Sequence, residues 1–173
     1  MAAVGGTYGL LLILYLWLCR YFSCVLAANK MPGLTVNTTF GPVRGKMKLL
    51  PNNKTVLYYL GIPYAAAGRF EPPRNPDRWN LTMNTTAYGK VCPQPLIPIY
   101  MNLSLDDLSE TCHFINVFVP AEGLKEGSQN MTLAVMLYVH AGGYTIGAGS
   151  RRIPELPSLL STEGNVIVVT FNY

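Results

Sequence analysis

Two segments toward the C-terminal end are continuously apolar: residues 133–139 (Leu133-Ala134-Val135-Met136-Leu137-Tyr138-Val139) and 166–171 (Val166-Ile167-Val168-Val169-Thr170-Phe171). Runs of this kind belong to strands covered on both faces, as in a parallel sheet, whereas half-exposed strands alternate. Residues 41–49 alternate in part and then meet the turn cluster Pro51-Asn52-Asn53. Residues 55–60, rich in β-branched and aromatic side chains, return as the hairpin partner. A long stretch follows in which Pro63, Pro72, Pro73, Pro76, Pro93, Pro95 and Pro98 remove backbone donors, so little regular structure is expected there. Regularity resumes with residues 114–119, ended by Pro120. Between the two apolar runs, residues 153–160 have room for a helical turn or two, kept short by Pro154 and Pro157.

This order predicts an α/β fold in which an antiparallel hairpin leads into a mixed, mostly parallel sheet. The chain closes at Tyr173, directly behind a strand expected to be buried. A parallel edge left open there would present unpaired backbone groups and apolar faces, so an incomplete domain is expected.

The first 28 residues follow a different pattern. Residues 10–18 are nine apolar residues in a row, the length of a signal-peptide core, and Val25-Leu26-Ala27 fits a V-x-A cleavage site. The alternative is a signal anchor running from Tyr8 to Ala28, which is long enough to span a bilayer. In that case Arg20 would sit in hydrocarbon at a cost of about 2.5–3.5 kcal/mol at mid-depth. A cleaved signal over residues 1–28 is therefore the expectation.

Six N-x-S/T sequons lie behind this leader, at Asn37, Asn53, Asn80, Asn84, Asn102 and Asn130. One sequon is weak support for glycosylation, but six behind a leader point to the secretory pathway. Cys19 and Cys24 would leave with the leader, and Cys92 and Cys112 then remain as a single pair. An oxidising lumen would join them, contributing roughly 3 kcal/mol in the chain-entropy model. The alternative is two unrelated buried thiols. Cys92, Cys112, His113 and His140 do not have zinc-site spacing, and neither a metal nor a cofactor is expected.

Composition fits this route. Charged residues make up 13% of the chain, against about 25% in an average soluble protein, while 50% is hydrophobic. Buried parallel strands and hydrophilic sugar both account for so few charges. The net charge of +4 is scattered, with no basic run, which argues against a nucleic-acid partner.

The sharpest local chemistry is His140-Ala141-Gly142-Gly143-Tyr144-Thr145-Ile146-Gly147-Ala148-Gly149, at the C-terminal end of an apolar run. Glycines there let the backbone reach positive φ and turn its N–H groups into an open concavity, as an oxyanion requires. A Gly-rich turn after a strand is more often plain loop geometry. A phosphate loop is the other functional alternative, but no G-K-[ST] follows and no G-x-G-x-x-G spacing occurs.

Several further motifs give this loop a context. Gly41-Pro42-Val43-Arg44-Gly45, Tyr59-Leu60-Gly61-Ile62-Pro63-Tyr64-Ala65 and Arg69-Phe70-Glu71-Pro72-Pro73 come in order. Residues 109–120, opening on Ser109-Glu110-Thr111-Cys112, and the terminal segment 165–173 follow. From about Thr35 to its end the chain resembles the type-B carboxylesterase/cholinesterase family of the α/β-hydrolase fold. Residues 29–173 are thereby expected to be part of such a domain, cut before the nucleophile elbow.

The resemblance implies roles. Gly142 and Gly143 match the two glycines whose N–H groups hold the oxyanion, and Ala141 replaces the glycine before them, where its Cβ would distort the loop if φ were positive. Cys92 and Cys112 match the family's first disulfide. Arg69 and Glu110 match a structural ion pair, costly to half-remove if buried. Thr111 and His113 stand where the family signature has Asp and Leu. His113 is read as a strand residue and His140 as loop architecture, so no catalytic residue is assigned.

No G-x-S-x-G elbow occurs in the sequence, and the acidic partner and base expected after it are absent as well. The expected function is thus the N-terminal part of a secreted carboxylic-ester hydrolase, inactive as written. Carboxylic esters would be the substrates of the completed enzyme. The alternative is a non-catalytic, cholinesterase-like adhesion ectodomain that binds partner proteins. Either would be secreted or held at the extracellular face of a membrane, by the N-terminal segment or by a further C-terminus. The loop from Cys92 to Cys112 holds no Trp, so a general esterase is expected and not an acetylcholine hydrolase.

Overall fold

The computed structural model describes residues 34–98, 102–121, 132–150 and 155–173. The leader and Asn130 lie outside the described residues. Leu34 to Tyr173 form one compact unit.

The hairpin forms where the apolar pattern places it. Strand β3 (Lys46–Leu49) runs antiparallel to β4 (Thr55–Pro63), with Lys46 opposite Tyr58 and Leu49 opposite Thr55. Its turn uses Asn53 at φ 61°, and the Asn52 side chain accepts the Lys54 N–H at 3.1 Å. Asparagine tolerates the left-handed region and mimics a turn with its own carboxamide.

The stretch read as one strand over residues 41–49 is two. Strand β2 (Pro42–Arg44) leaves for a small sheet with β1 (Thr35–Asn37) and β5 (Met83–Asn84), while β3 stays with β4. The break falls at Gly45, where a Cβ would lie 2.3 Å from the Tyr58 carbonyl oxygen. Only glycine lets the chain cross β4 that closely.

The large sheet has the order β3-β4-β6-β8-β7, with β6 at Phe114–Pro120, β7 at Val135–Tyr138 and β8 at Ile167–Phe171. Among the described residues only β7 and β8 pair in parallel in this sheet, and the other three pairings are antiparallel. The parallel character expected of the sheet is confined to that pair.

Strand β4 is buried at every position from Val56 to Leu60. Val56, Tyr58 and Leu60 join Phe118 and Val168 on one face, while Leu57 and Tyr59 join Val43 on the other, with Trp79 and Val117 packed alongside. Tyr88 packs against the first cluster, and burial first, then Tyr58 and Glu155, pushes its phenol up to about 12.

A bulge between Tyr59 and Ile62 interrupts the β4–β6 register. Asn116, 2% exposed, fills it: its Oδ1 accepts the Gly61 N–H at 2.9 Å and its Nδ2 donates to Thr170 Oγ1 at 3.1 Å. A buried amide with both ends paired carries no desolvation penalty of the unsatisfied kind.

Helix α1 (Leu156–Gly164) starts later and runs longer than the one or two turns expected. Pro157 falls in its first turn, where the missing N–H has no intrahelical partner to lose. Asn165 closes it in the left-handed conformation at φ 49°. The helix buries Ser158, Ser161 and Thr162 against the sheet and exposes Leu156, Leu159 and Leu160. Its serines are paired: Ser158 Oγ lies 2.6 Å from the Tyr58 hydroxyl, and Ser161 Oγ donates to the Phe118 carbonyl at 3.2 Å.

Two expectations about burial are corrected. Strand β8, expected to lack its next strand, lies between β6 and β7. Among the described strands β7 is outermost on one side, as β3 is on the other, and Val135 to Val139, expected to be covered on both faces, are 45–62% exposed. An apolar run shows that a strand needs cover, not where the cover comes from. An open, uncharged apolar edge is a template for pairing with other chains. Residues 29–173 expressed alone are therefore expected to self-associate, as read by light scattering. A monomer with a cooperative thermal transition would be the contrary result.

Candidate functional site: the glycine loop and its disulfide anchor

The loop after β7 closes on the carbonyl of Gly142. That oxygen accepts the N–H groups of Thr145 and Ile146, both at 3.1 Å, and the Thr145 hydroxyl at 3.0 Å. Such a turn needs unusual backbone conformations, with Gly142 at φ 141°, Gly143 at 58° and Tyr144 at 60°. A Cβ on Gly142 would sit 1.6 Å from the Ile146 carbonyl oxygen. Ala141 is not among the residues with positive φ, so its methyl group does not set the loop's shape.

With the carbonyl of Gly142 turned inward, the N–H groups of Gly142, Gly143 and Tyr144 meet no acceptor among the described residues. Farther along, those of Thr145, Ile146, Gly147 and Gly149 do. Successive unpaired N–H groups on a positive-φ turn form a concavity suited to an anion. Tyr144, 94% exposed, projects beside it.

Cys92 and Cys112 are joined, with their Cα atoms 4.9 Å apart. The Cys92 half of the bond lines a cavity of about 290 Å³ that also touches Gln94, His140, Tyr144, Gly147 and Tyr173. His140 is buried and stacks on Tyr173, with ring centres 4.3 Å apart. Its carbonyl accepts the Tyr173 hydroxyl at 2.8 Å, and its Nδ1 lies 3.1 Å from the Ala141 carbonyl. His140 thus shapes the base of the loop. His113 stands just ahead of β6, edge-on to Tyr64 at 6.0 Å.

Arg69 and Glu110 approach to 3.5 Å, but their side chains are 71% and 57% exposed. The large penalty attached to half of a buried pair does not apply, and an exposed pair is worth about 0–1 kcal/mol. Asn37, Asn53, Asn80, Asn84 and Asn102 are all exposed. Among the described residues no His, Cys, Asp and Glu cluster could hold a metal ion.

Three residues at this site escaped the sequence: Gln94, Asn172 and Tyr173. Gln94 Oε1 accepts the Gly147 N–H at 2.7 Å while its Nε2 donates to the Gly147 carbonyl at 2.8 Å and the Cys92 carbonyl at 3.1 Å. Asn172 Oδ1 accepts the Gly149 N–H at 2.9 Å, and its Nδ2 donates to the carbonyls of Cys112 and Lys90, both at 3.0 Å. The available signals were slight: Gln94 stands two residues past a half-cystine, and Asn172 is a polar residue closing an apolar strand.

This strand order, with a glycine loop leaving the C-terminal end of β7, defines the N-terminal portion of an α/β-hydrolase fold. Residues 32–173 match the model of the Carboxylesterase family, and the chain belongs to that family. It is similar to para-nitrobenzyl esterase of Bacillus subtilis, 37% identical over 80% of this chain and 27% of that protein. Neuroligin-3 of Mus musculus is 34% identical over 88% of this chain and 23% of its own length. Liver carboxylesterase 1F of Rattus norvegicus is 32% identical over 92% and 30%. A solved PNB esterase superposes with a TM-score of 0.66 at 39% identity, over 80% of this chain and 27% of that one. The chain spans between a fifth and a third of the length of these relatives.

Proposed function

We propose that this chain is the oxyanion-binding part of a secreted carboxylic-ester hydrolase whose nucleophile, acid and base lie outside these 173 residues. The observation that carries it is the set of unpaired N–H groups at Gly142 and Gly143, held open by a turn closed through the Gly142 carbonyl. In acyl transfer such donors stabilise the charge that develops on the carbonyl oxygen of the tetrahedral intermediate, and they need no reorganisation at the moment of reaction. Without a nucleophile and base the intermediate never forms, so the 173 residues alone hydrolyse nothing.

The secretory route is part of the same proposal. It rests on the leader over residues 1–28, on the sequons, whose five described asparagines are exposed, and on the joined cysteines. Among the described residues no helix is long and apolar enough to cross a membrane.

The test uses the full-length protein with p-nitrophenyl acetate and acetylcholine as separate substrates. Turnover of the aryl ester without a marked preference for acetylcholine is expected, because no Trp lies between Cys92 and Cys112 to hold a quaternary ammonium. Acetylcholine turnover far above that of the aryl ester would overturn the substrate assignment.

The near-equal identity to neuroligin-3 and to the esterases supports a second reading, a non-catalytic ectodomain that binds protein partners. A full-length chain without a serine at the elbow and without turnover would favour it.

A further inference from the structure

The two carboxamides that the sequence did not single out share one arrangement. Each ties one half of the disulfide to one N–H of the glycine loop. Gln94 joins the Cys92 carbonyl to Gly147, and Asn172 joins the Cys112 carbonyl to Gly149. Gln94 grips Gly147 by both its N–H and its carbonyl, as a neighbouring strand would. Gly147 sits at φ 127°, where a Cβ would lie 2.2 Å from His140 Nδ1, so its position also fixes the base of the loop. The unpaired donors at Gly142 and Gly143 lie between this anchor and the end of β7.

We propose that Gln94 and Asn172 are positioning residues that hold the glycine loop against the Cys92–Cys112 bond and so fix where the N–H groups of Gly142 and Gly143 point. The proposal rests on the reading of that loop as an oxyanion site. Its geometric half, the clamp, is measurable without any turnover.

Gln94 is the residue to test, because it is only half buried and Asn172 is deeply so. In the full-length protein, Gln94→Leu keeps the bulk and removes all three hydrogen bonds. Two readouts are taken: hydrogen exchange of peptides covering residues 140–150, and kcat and KM for p-nitrophenyl acetate. Exchange in the loop is expected to rise by about tenfold, a loss of roughly 1.4 kcal/mol of local protection, with peptides from β4 and β6 unchanged. The expected loss in kcat is about 10- to 100-fold with KM nearly unchanged, since small misplacements of a reacting geometry are costly. Gln94→Glu, which keeps the acceptor for Gly147 and loses the donor, is expected to fall between the two.

Unchanged exchange in the loop overturns the proposal, as does a rise shared equally by β4 and β6. If Gln94→Leu does not fold, Gln94→Glu with wild-type loop exchange overturns it in the same way. A wild-type protein without turnover, in which Gln94→Leu still loosens the loop alone, supports the clamp and sinks the hydrolase reading.

Discussion

Asn172→Leu is expected to unfold the protein or to lower its melting temperature by well over ten degrees. The side chain is 4% exposed and pairs with three backbone groups, the Gly149 N–H and the carbonyls of Lys90 and Cys112. Leucine is close in size but offers no polar atom, so the Gly149 N–H and the Lys90 carbonyl would lose their partner, while the Cys112 carbonyl keeps the Phe114 N–H at 2.8 Å. At about 1–3 kcal/mol each, the loss of roughly 2–6 kcal/mol is a large part of the stability of an average domain, about 5–15 kcal/mol. Thermal melts and the folded yield of the full-length protein would read it. The control is Arg69→Ala, which removes an exposed ion pair and is expected to cost at most about 1 kcal/mol. An Asn172→Leu variant melting within a few degrees of wild type would show that the carboxamide is not a structural hub.

Gly142→Ala has the second large effect, on the reaction. The new methyl group would lie 1.6 Å from the Ile146 carbonyl oxygen, and the backbone is held at φ 141°, a region that residues with a Cβ rarely adopt. The turn closed by the Gly142 carbonyl must open, and with it the direction of the Gly142 and Gly143 N–H groups. Removing one oxyanion donor costs about 10²–10³ in kcat, and on the proposed hydrolase reading a loss of that size is expected in the full-length protein, with a smaller change in KM. Ala141→Gly, by contrast, is expected to change kcat little, because Ala141 does not occupy positive φ. Equal losses from both substitutions would mean that the loop's shape is not set at Gly142.

Elements that depend on local pattern were legible in the sequence. The hairpin of β3 and β4 follows from the turn residues Pro51, Asn52 and Asn53 between two strand-like stretches, and β6 follows from the regular stretch of residues 114–119 ahead of Pro120. The parallel pairing of β7 with β8 was readable from two uncharged runs with a helix-compatible segment between them. Where each strand sits in the sheet was not. That among the described strands β8 lies inside and β7 outermost is a matter of long-range pairing, to which the residues of each run are indifferent.

Helix α1 misled in another way. Its leucines face outward and its serines inward, because Tyr58 and the Phe118 carbonyl offer hydrogen bonds at the sheet surface. At the site, Gly142 and Gly143 were visible because conformational freedom leaves a mark in composition. Gln94 and Asn172 were not, since a carboxamide in an irregular segment looks the same whether it meets water or grips a backbone.

The place of β7 in the sheet has a consequence for the protein's synthesis. Among the described strands its only neighbour is β8, and Tyr138 aligns with Thr170, about 30 residues later in the chain. At roughly 5–20 residues per second, the nascent polypeptide carries that uncharged segment out of the ribosome some 2–6 s before its partner exists. The hairpin and β6 are complete by then and cannot shelter it, because β8 must first enter the gap between them and β7. On the proposed secretory route, translocation into a compartment rich in holdase chaperones, with sugars added to the segments already extruded, would cover this interval. A bacterial cytosol would not, so its yield should depend more on translation rate than on temperature.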